Sequence, residues 1–281
     1  MELTPKTFKE LAAVIRNESG IVLGPEKAYL VRHRLEPLVR DKGLDGFDDL
    51  LRRLRMHTAV ALRNTVIDAM TVKETQFFRD QSFFELLRTH VLPSCATAMA
   101  RGRHRLRIWS AAASTGQEAY SVAMAIREFI ASATPELDEG RVSILASDIS
   151  ASAIELAKAG LYGKAEVHRG VSDDRLRKHF HRSGQSWRID ESLQNMTHFR
   201  TFNLLASPSG LGVFDVILCR NVMIYFDEST RRRICRALYE SLQPGGWLAL
   251  GSAESLYGME ERFETIMVGK AIVYRRPTQA A

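Results

Sequence analysis

Several short stretches of the chain carry side chains suited to holding a polar, charged ligand. The segment RIWSAAASTGQEAYSVAMAI, Arg107 to Ile126, reads as an apolar strand, a run of small residues, Gly116 and then a helix from about Gln117. Gly116 lacks a Cβ where the chain turns, and the first N–H groups of a helix have no partner within it. The turn therefore offers a seat to a polar or anionic group, although a strict G-x-G-x-x-G is absent. Asp148 follows the strand Val142 to Ala146. At that place in a doubly wound sheet a carboxylate matches the two vicinal hydroxyls of a ribose, and it can equally cap the helix from Ala151 to Ala159. Asn203 and Leu204 fall at the end of the strand within HFRTFNLL, and Arg220, Asn221, Val222 and Tyr225 leave the apolar strand Phe214 to Cys219. Ligands of open parallel sheets bind outside the carboxyl ends of the strands, so these residues are expected to converge on one crevice with Gly116 and Asp148. Upstream, TVKETQFFRDQSFFELL sets Glu74, Thr75 and Arg79 beside Phe77, Phe78, Phe83 and Phe84. Buried rings would anchor this stretch as a hinge between domains, leaving the polar tips for a ligand or for an internal ion pair.

The elements that must position these groups follow from the pattern. Residues 2–70 read as all-helical: a helix starting at Thr4-Pro5 with Phe8, Leu11, Ala12 and Ile15 on one face and a stop at Gly20, and a second over Lys27 to Lys42 that Pro37 bends or ends. A third covers Phe47 to Met56 and a fourth Ala59 to Met70. Arg52, Arg53 and Arg55 alternate with leucines on the third helix, either as a solvated face or as a docking surface for an acidic partner. Leu86 to Ala100 reads as helix with Pro93 near a break. From Leu106 strands and helices alternate, with a loop holding Pro135 and Gly140 after the first sheet helix. The alternation lapses between Gly160 and Met196, where a helix and a small antiparallel hairpin around SGQS are expected. Ser229 to Leu242 reads as a helix stopped by QPGG, WLALGS as the fifth strand, and FETIMVGKAIVYRR as a closing hairpin around Gly269.

Composition narrows the class. With 281 residues, 45% hydrophobic and 26% charged, the chain suits a large core plus a smaller domain. No stretch approaches the roughly 18 apolar residues of a membrane span, and MELTPKTFKEL carries charge where a signal peptide needs an apolar run, so a cytoplasmic protein is expected. Three widely spaced cysteines, without C-x-x-C, indicate neither a disulfide framework nor a zinc site. A formal charge of +6 suggests an acidic partner.

A parallel sheet with a late antiparallel hairpin is the arrangement of class I methyltransferases, α/β proteins of Rossmann-like type. The strings ETQFFR, WSAAASTGQEAYS, ASDIS, NLL and CRNVMIYFD, in that order after a basic helical domain, resemble the chemotaxis receptor methyltransferases of the CheR type over nearly the whole chain. The resemblance implies a helical receptor-docking domain over 1–70, a hinge over 71–90 that reaches the cofactor, and an S-adenosylmethionine-binding catalytic domain over 91–281. A small β-subdomain is inserted in the last at about 178–197. It places Thr75 and Arg79 on the cofactor, with the Arg79 fork suited to the carboxylate of its methionine part. Ala112 and Ile149 join them. Glu118 is placed on the amino group, while Gln117 replaces the first acid of the family's G-E-E string. Asp148 is placed on the ribose, Asn203 with Leu204 and Asn221 with Val222 around the adenine and methionine parts, and Tyr225 near the transferred methyl. Lys73 stands where the family often has asparagine. The short SGQS loop points to an enzyme that works without gripping a receptor tether peptide.

The implied reaction methylates glutamate side chains of a chemoreceptor cytoplasmic domain, with Arg79 and Tyr225 at the reacting centre and Arg52, Arg53 and Arg55 on the docking face. No metal, nucleic acid or membrane insertion is implied, and a monomer is expected. A glutamate with a pKa of about 4.3 is already ionised near neutrality, so no general base is required and catalysis rests on alignment. Two other classes stand beside this reading. A nucleic-acid methyltransferase would suit the charge, but Asn203-Leu204-Leu205 replaces the Asn/Asp-Pro-Pro-aromatic loop of amino-methylating enzymes and no Pro-Cys nucleophile is present. A cofactor-binding scaffold without turnover is the other.

Overall fold

The computed structural model describes residues 1–133 and 137–278; Pro135 lies outside them. Four helices open the chain: α1 (Pro5–Ser19), α2 (Ala28–Asp41), α3 (Phe47–Leu54) and α4 (Val60–Met70). Thr4 caps α1 by accepting from Thr7 N–H at 3.2 Å, and Gly20, at φ 79°, ends it in the left-handed region. Helix α2 runs through Pro37 rather than stopping there. Leu35, Leu38 and Val39 on either side are buried in the core with Leu11, Ile15 and Leu50. Burying each such side chain contributes roughly 1.5–3 kcal/mol, which offsets the roughly 3 kcal/mol that an interior proline costs.

The hinge then leads through α5 (Gln81–Leu86), a π-helical turn at Leu87–Val91 and α6 (Leu92–Ala100), with Pro93 in the first turn of α6. Phe77, Phe78, Phe83 and Phe84 are all buried. The rest alternates: β1 (Leu106–Ala111), α7 (Gln117–Ala133), β2 (Val142–Asp148), α8 (Ala151–Ala159), β3 (Leu161–Gly163), α9 (Lys164–His168), α10 (Asp173–His179), β4 (Phe180–Ser183), β5 (Ser186–Ile189), α11 (Glu191–Met196), β6 (Thr197–Thr201), β7 (Phe214–Cys219), α12 (Glu228–Glu240), β8 (Leu242–Leu250), β9 (Glu264–Val268) and β10 (Ala271–Arg275).

The main sheet has the order β6-β2-β1-β7-β8-β10-β9. The first five are parallel, and β10 and β9 close the edge as an antiparallel hairpin. This is the class I methyltransferase architecture. The strand order reverses between β1 and β7, which opens a crevice at their carboxyl ends. The insertion is larger than the expected 178–197: its small sheet, β3-β5-β4, takes a strand from Leu161–Gly163, and Glu191–Met196 is helical. The hairpin is present, but Tyr162 on β3 is needed to cover Phe77 edge-on, ring centroids 4.9 Å apart, so the insertion begins earlier.

The helical domain is tied to the sheet by polar contacts. Arg16 pairs with Asp227 at 2.5 Å, Val22 N–H donates to the Tyr225 carbonyl at 2.9 Å, and Asp68 on α4 accepts from the Ser150 hydroxyl and the Ser152 N–H at the start of α8. Cys95, Cys219 and Cys235 are buried free thiols.

Candidate functional site

The carboxyl ends of β1, β2, β6 and β7, the hinge, and the edge of the helical domain enclose a cleft of about 200 Å³. Thr75, Arg79, Ala112, Glu118, Asp148, Ile149, Asn203, Leu204, Asn221, Val222 and Tyr225 all line it. Backbone conformation is unusual here. Among the described residues the five non-glycine residues at positive φ are Phe78, Asp80, Ala112, Ser114 and Asn221, and three of them line the cleft. Such conformations cost energy and persist only where surrounding contacts hold them.

At the exit of β1, Ala112 (φ 67°) and Ser114 (φ 50°) turn the chain towards the cleft. Ala113 N–H donates to the Ser147 carbonyl at 2.8 Å, Ser114 N–H to Asp148 Oδ2 at 2.8 Å, and the Ser114 hydroxyl to the Lys73 carbonyl at 3.0 Å. Gly116 plays a different part from the one expected. It does not line the cleft; a Cβ there would meet Ala157 Cβ at 2.9 Å and the Tyr162 hydroxyl at 3.0 Å. Its missing side chain serves the packing of α7 against α8 and β3.

Asp148 does not cap α8, because Ser150 does so by accepting from Ala153 N–H at 3.0 Å. Its two oxygens each take one backbone N–H, from Ser114 at 2.8 Å and Ser150 at 2.9 Å, and each keeps a lone pair. Burial pushes its pKa above the ordinary 3.8 against those two bonds. Hydroxyl donors would favour the anion, so a ribose should bind fully above the raised pKa and progressively less as pH falls through it. Asp148→Ala is expected to weaken S-adenosylhomocysteine binding by roughly 1–3 kcal/mol, and wild-type binding should take up this pH dependence. Calorimetry on both proteins at neutral pH checks the loss, and titration of the wild type downward from neutrality checks the direction of its pH dependence; wild-type affinity in Asp148→Ala would remove the ribose assignment.

Glu118, in the first turn of α7, accepts from the Ser110 hydroxyl at 2.8 Å and from Arg220 Nη1 at 3.0 Å. Arg220 is buried, stacks over Phe83 with its guanidinium 4.4 Å from the ring centroid, and also donates to Asp80 at 3.1 Å and the Arg79 carbonyl at 3.2 Å. This arginine joins the strand exit, the helix and the hinge in one network. Gln117 faces the insertion instead, bonded to Thr115 and Glu166.

Arg79 has no carboxylate within 4.0 Å among the described residues, so the internal ion pair left open by the sequence is not made. Lys73 does not line the cleft. Its ammonium is held by Asp68 at 2.9 Å and by Ser152 at 2.6 Å, and it serves the site through its backbone carbonyl. Asn203 spends its amide N–H on the Glu18 carbonyl at 2.7 Å and its oxygen on Leu205 N–H at 3.0 Å. Tyr225 is half-buried; burial raises its phenol pKa, while Arg79 and Arg34 pull the other way. The hydroxyl is therefore a neutral donor near pH 7. Arg52, Arg53 and Arg55 are outside the cleft: the first two pair with Asp49 and the third with Glu10.

Two contributions were missed from sequence. Glu254, in the loop after β8, accepts from Asn221 N–H at 2.7 Å, Met223 N–H at 2.8 Å and Gly251 N–H at 2.7 Å, and so holds the turn that presents Asn221 and Val222. The helical domain supplies Ser19, Ile21, Leu23, Lys27, Leu30 and Arg34 as a wall. Arg34 donates to the Met70 and Thr71 carbonyls at 2.7 and 3.1 Å. Among the described residues no group of three or more His, Cys, Asp or Glu side chains is placed to hold a metal ion. No helix there is long and apolar enough to cross a membrane.

Residues 73–272 match the family model described as CheR methyltransferase, SAM binding domain, and residues 6–71 match CheR methyltransferase, all-alpha domain. The chain is 40% identical over 269 residues to chemotaxis protein methyltransferase 1 of Pseudomonas aeruginosa, covering 95% of this chain and 97% of that protein. It is 39% identical over 274 residues to chemotaxis protein methyltransferase 1 of Vibrio cholerae, with 97% and 98% covered. The chemotaxis protein methyltransferase of Escherichia coli is 34% identical over 268 residues, with 94% and 89% covered. The cleft suits the cofactor this family binds, S-adenosylmethionine: it has an anchored carboxylate with spare lone pairs at Asp148 and a guanidinium without an acidic partner at Arg79. With family models matched over residues 6–71 and 73–272, across the helical domain and nearly all of the sheet that flank the cleft, the chain belongs to the CheR family of S-adenosylmethionine-dependent chemotaxis methyltransferases.

Proposed function

We propose that the protein methylates side-chain carboxylates of specific glutamates in the cytoplasmic domain of chemoreceptors, giving glutamate methyl esters and S-adenosylhomocysteine. The observation that carries this reading is the charge of the cleft. Lys27, Arg34 and Arg79 face it without a carboxylate partner among the described residues, while no histidine lines it. Such a site attracts an anionic acceptor and offers no imidazole base. A carboxylate needs none, being ionised already.

The bound cofactor supplies an electrophilic methyl group on a sulfonium, and its transfer to a carboxylate oxygen leaves a neutral thioether with no proton to move. The chain's part is to bind and align. Asp148 takes the ribose hydroxyls, with Ala112 and Ile149 beside it. Asn203 acts through its backbone and Leu204 through its side chain at the adenine, because the Asn203 amide is committed to Glu18 and Leu205. Glu118, oriented by Arg220, takes the amino group, and Arg79 with Thr75 takes the carboxylate. Asn221 and Val222 flank the methionine part, and Tyr225 donates its hydroxyl near the reacting centre. Alignment of this kind supplies on the order of 7–11 kcal/mol in favourable cases. The exposed arginines Arg52, Arg53 and Arg55 add long-range attraction for an acidic receptor, weakened by their pairing with Asp49 and Glu10. The enzyme works as a cytoplasmic monomer and, with only Gly184 and Gln185 between β4 and β5, without gripping a receptor tether.

The test uses methyl-labelled S-adenosylmethionine with a chemoreceptor cytoplasmic domain. Label should appear on the receptor and leave as methanol in mild alkali, since an ester hydrolyses where N-methyl or C-methyl groups survive. Alkali-stable label, or a blank receptor beside labelled nucleic acid, would overturn the proposal.

A further inference from the structure

We infer that Val22, Val72 and Ile224 form an apolar collar at the mouth of the cleft that selects the acceptor segment, taking a carboxylate flanked by apolar side chains on an acidic protein surface. The inference rests on the receptor-glutamate reading above and adds what the acceptor's neighbours must be.

Val22 is 38% exposed, Val72 42% and Ile224 62%, yet all three line the cleft. They come from three separate parts of the chain: the loop after α1, the hinge, and the 3₁₀ turn Met223–Tyr225 beyond β7. That turn divides its side chains. Met223 is buried, Tyr225 is half-buried, and Ile224 is left outside with no core to enter. The bond from Val22 N–H to the Tyr225 carbonyl, 2.9 Å, ties the loop after α1 to the turn that carries Ile224. Exposed aliphatic side chains gathered from distant segments around one opening mark a contact surface better than the same residues scattered singly.

Charge complementarity names the occupant. Of the carboxylates on the cleft wall, Glu74 is paired with Arg169 at 3.1 Å, Glu118 with Arg220 at 3.0 Å, and Asp148 is held by two backbone N–H groups. Lys27, Arg34 and Arg79 are left without acidic partners among the described residues. The cofactor brings one carboxylate, which Arg79 answers, so Lys27 and the part of the Arg34 guanidinium not spent on the Met70 and Thr71 carbonyls remain for a second anion. An apolar rim beside the cations of the helical-domain wall fits a carboxylate set among apolar side chains. It suits a phosphodiester backbone poorly, because that presents charge between polar sugars. Seating the acceptor against the rim also removes water from it, which strengthens its attraction to the neighbouring cations.

The test compares the full chain with Ile224→Asp, Val22→Asp and Ile224→Leu, measuring S-adenosylhomocysteine affinity by calorimetry and KM and kcat on a receptor cytoplasmic domain. Both aspartates should raise KM for the receptor about tenfold or more while cofactor affinity stays at the wild-type value, and Ile224→Leu should keep the wild-type KM. Replacing the apolar neighbours of the acceptor glutamate by lysine should raise the wild-type KM in the same way. An unchanged KM in both aspartate variants, with the wild type labelling its receptor, overturns the collar alone. A matching loss of cofactor affinity overturns it by assigning these side chains to the cofactor. A wild type that labels no receptor overturns the functional reading and the collar together.

Discussion

Arg79→Ala is expected to remove most methyl-transfer activity and to weaken S-adenosylhomocysteine binding by roughly 1.5–3 kcal/mol, about ten- to a hundredfold, while the melting temperature of the ligand-free protein stays near the wild-type value. The two halves of this expectation come from the same observation. The guanidinium has no acidic partner among the described residues, so its loss leaves no stranded charge in the ligand-free protein. The part of Arg79 that does hold the fold is its carbonyl, which accepts from Arg220 Nη2 at 3.2 Å and survives the substitution. Arg79→Lys keeps the charge and loses the planar fork, and should fall between the two. Thermal denaturation with calorimetric titration separates the cases: a large drop in the ligand-free melting temperature with cofactor affinity retained would make Arg79 a structural residue.

The second large effect is expected at Glu254, which sequence reasoning passed over. Its carboxylate accepts three backbone N–H groups, two of them on the turn that presents Asn221 and Val222 to the cleft. Asn221 sits at φ 60°, a conformation that an L-residue keeps only when its surroundings hold it. Removing the carboxylate leaves those donors unpaired, and a Cβ at Gly251 would press on the same bonds, 2.6 Å from Asn221 Nδ2 and 2.7 Å from Glu254 Oε2. Glu254→Ala should therefore lower S-adenosylhomocysteine affinity by roughly 1–3 kcal/mol and reduce thermal stability as well. Glu254→Gln retains an oxygen that can accept but sets an amide against one of the donors, and should recover part of both losses. Cofactor affinity equal to wild type in Glu254→Ala would show that the turn holds itself.

The pattern of the chain determined the sheet, its closing hairpin and the strand ends that carry the ligand groups. Burial on both faces makes parallel strands such as Phe214–Cys219 continuous apolar runs, and the residues just past a strand's carboxyl end in such a sheet face the crevice whatever the loop's detailed path. Asp148, Asn203 and Asn221 were legible for that reason, and Arg79 was placed by the four buried rings around it together with a family resemblance. Only the tertiary structure decided how those ends are held and covered. Gly116 looked like a ligand turn because a glycine before a helix is compatible with both roles, and only the arrival of Ala157 and Tyr162 shows that packing requires it. Pro37 looked like a bend or an end of the helix because the local cost is visible in sequence and the burial that offsets it is not. Glu254 stands 33 residues beyond Asn221 in a loop without periodicity, and Arg34, Lys27 and Ile21 reach the cleft from a domain that sequence reads as separate. Such contacts depend on how preformed elements dock. A pattern of neighbours along the chain carries no record of that docking, because the groups it brings together satisfy no local rule.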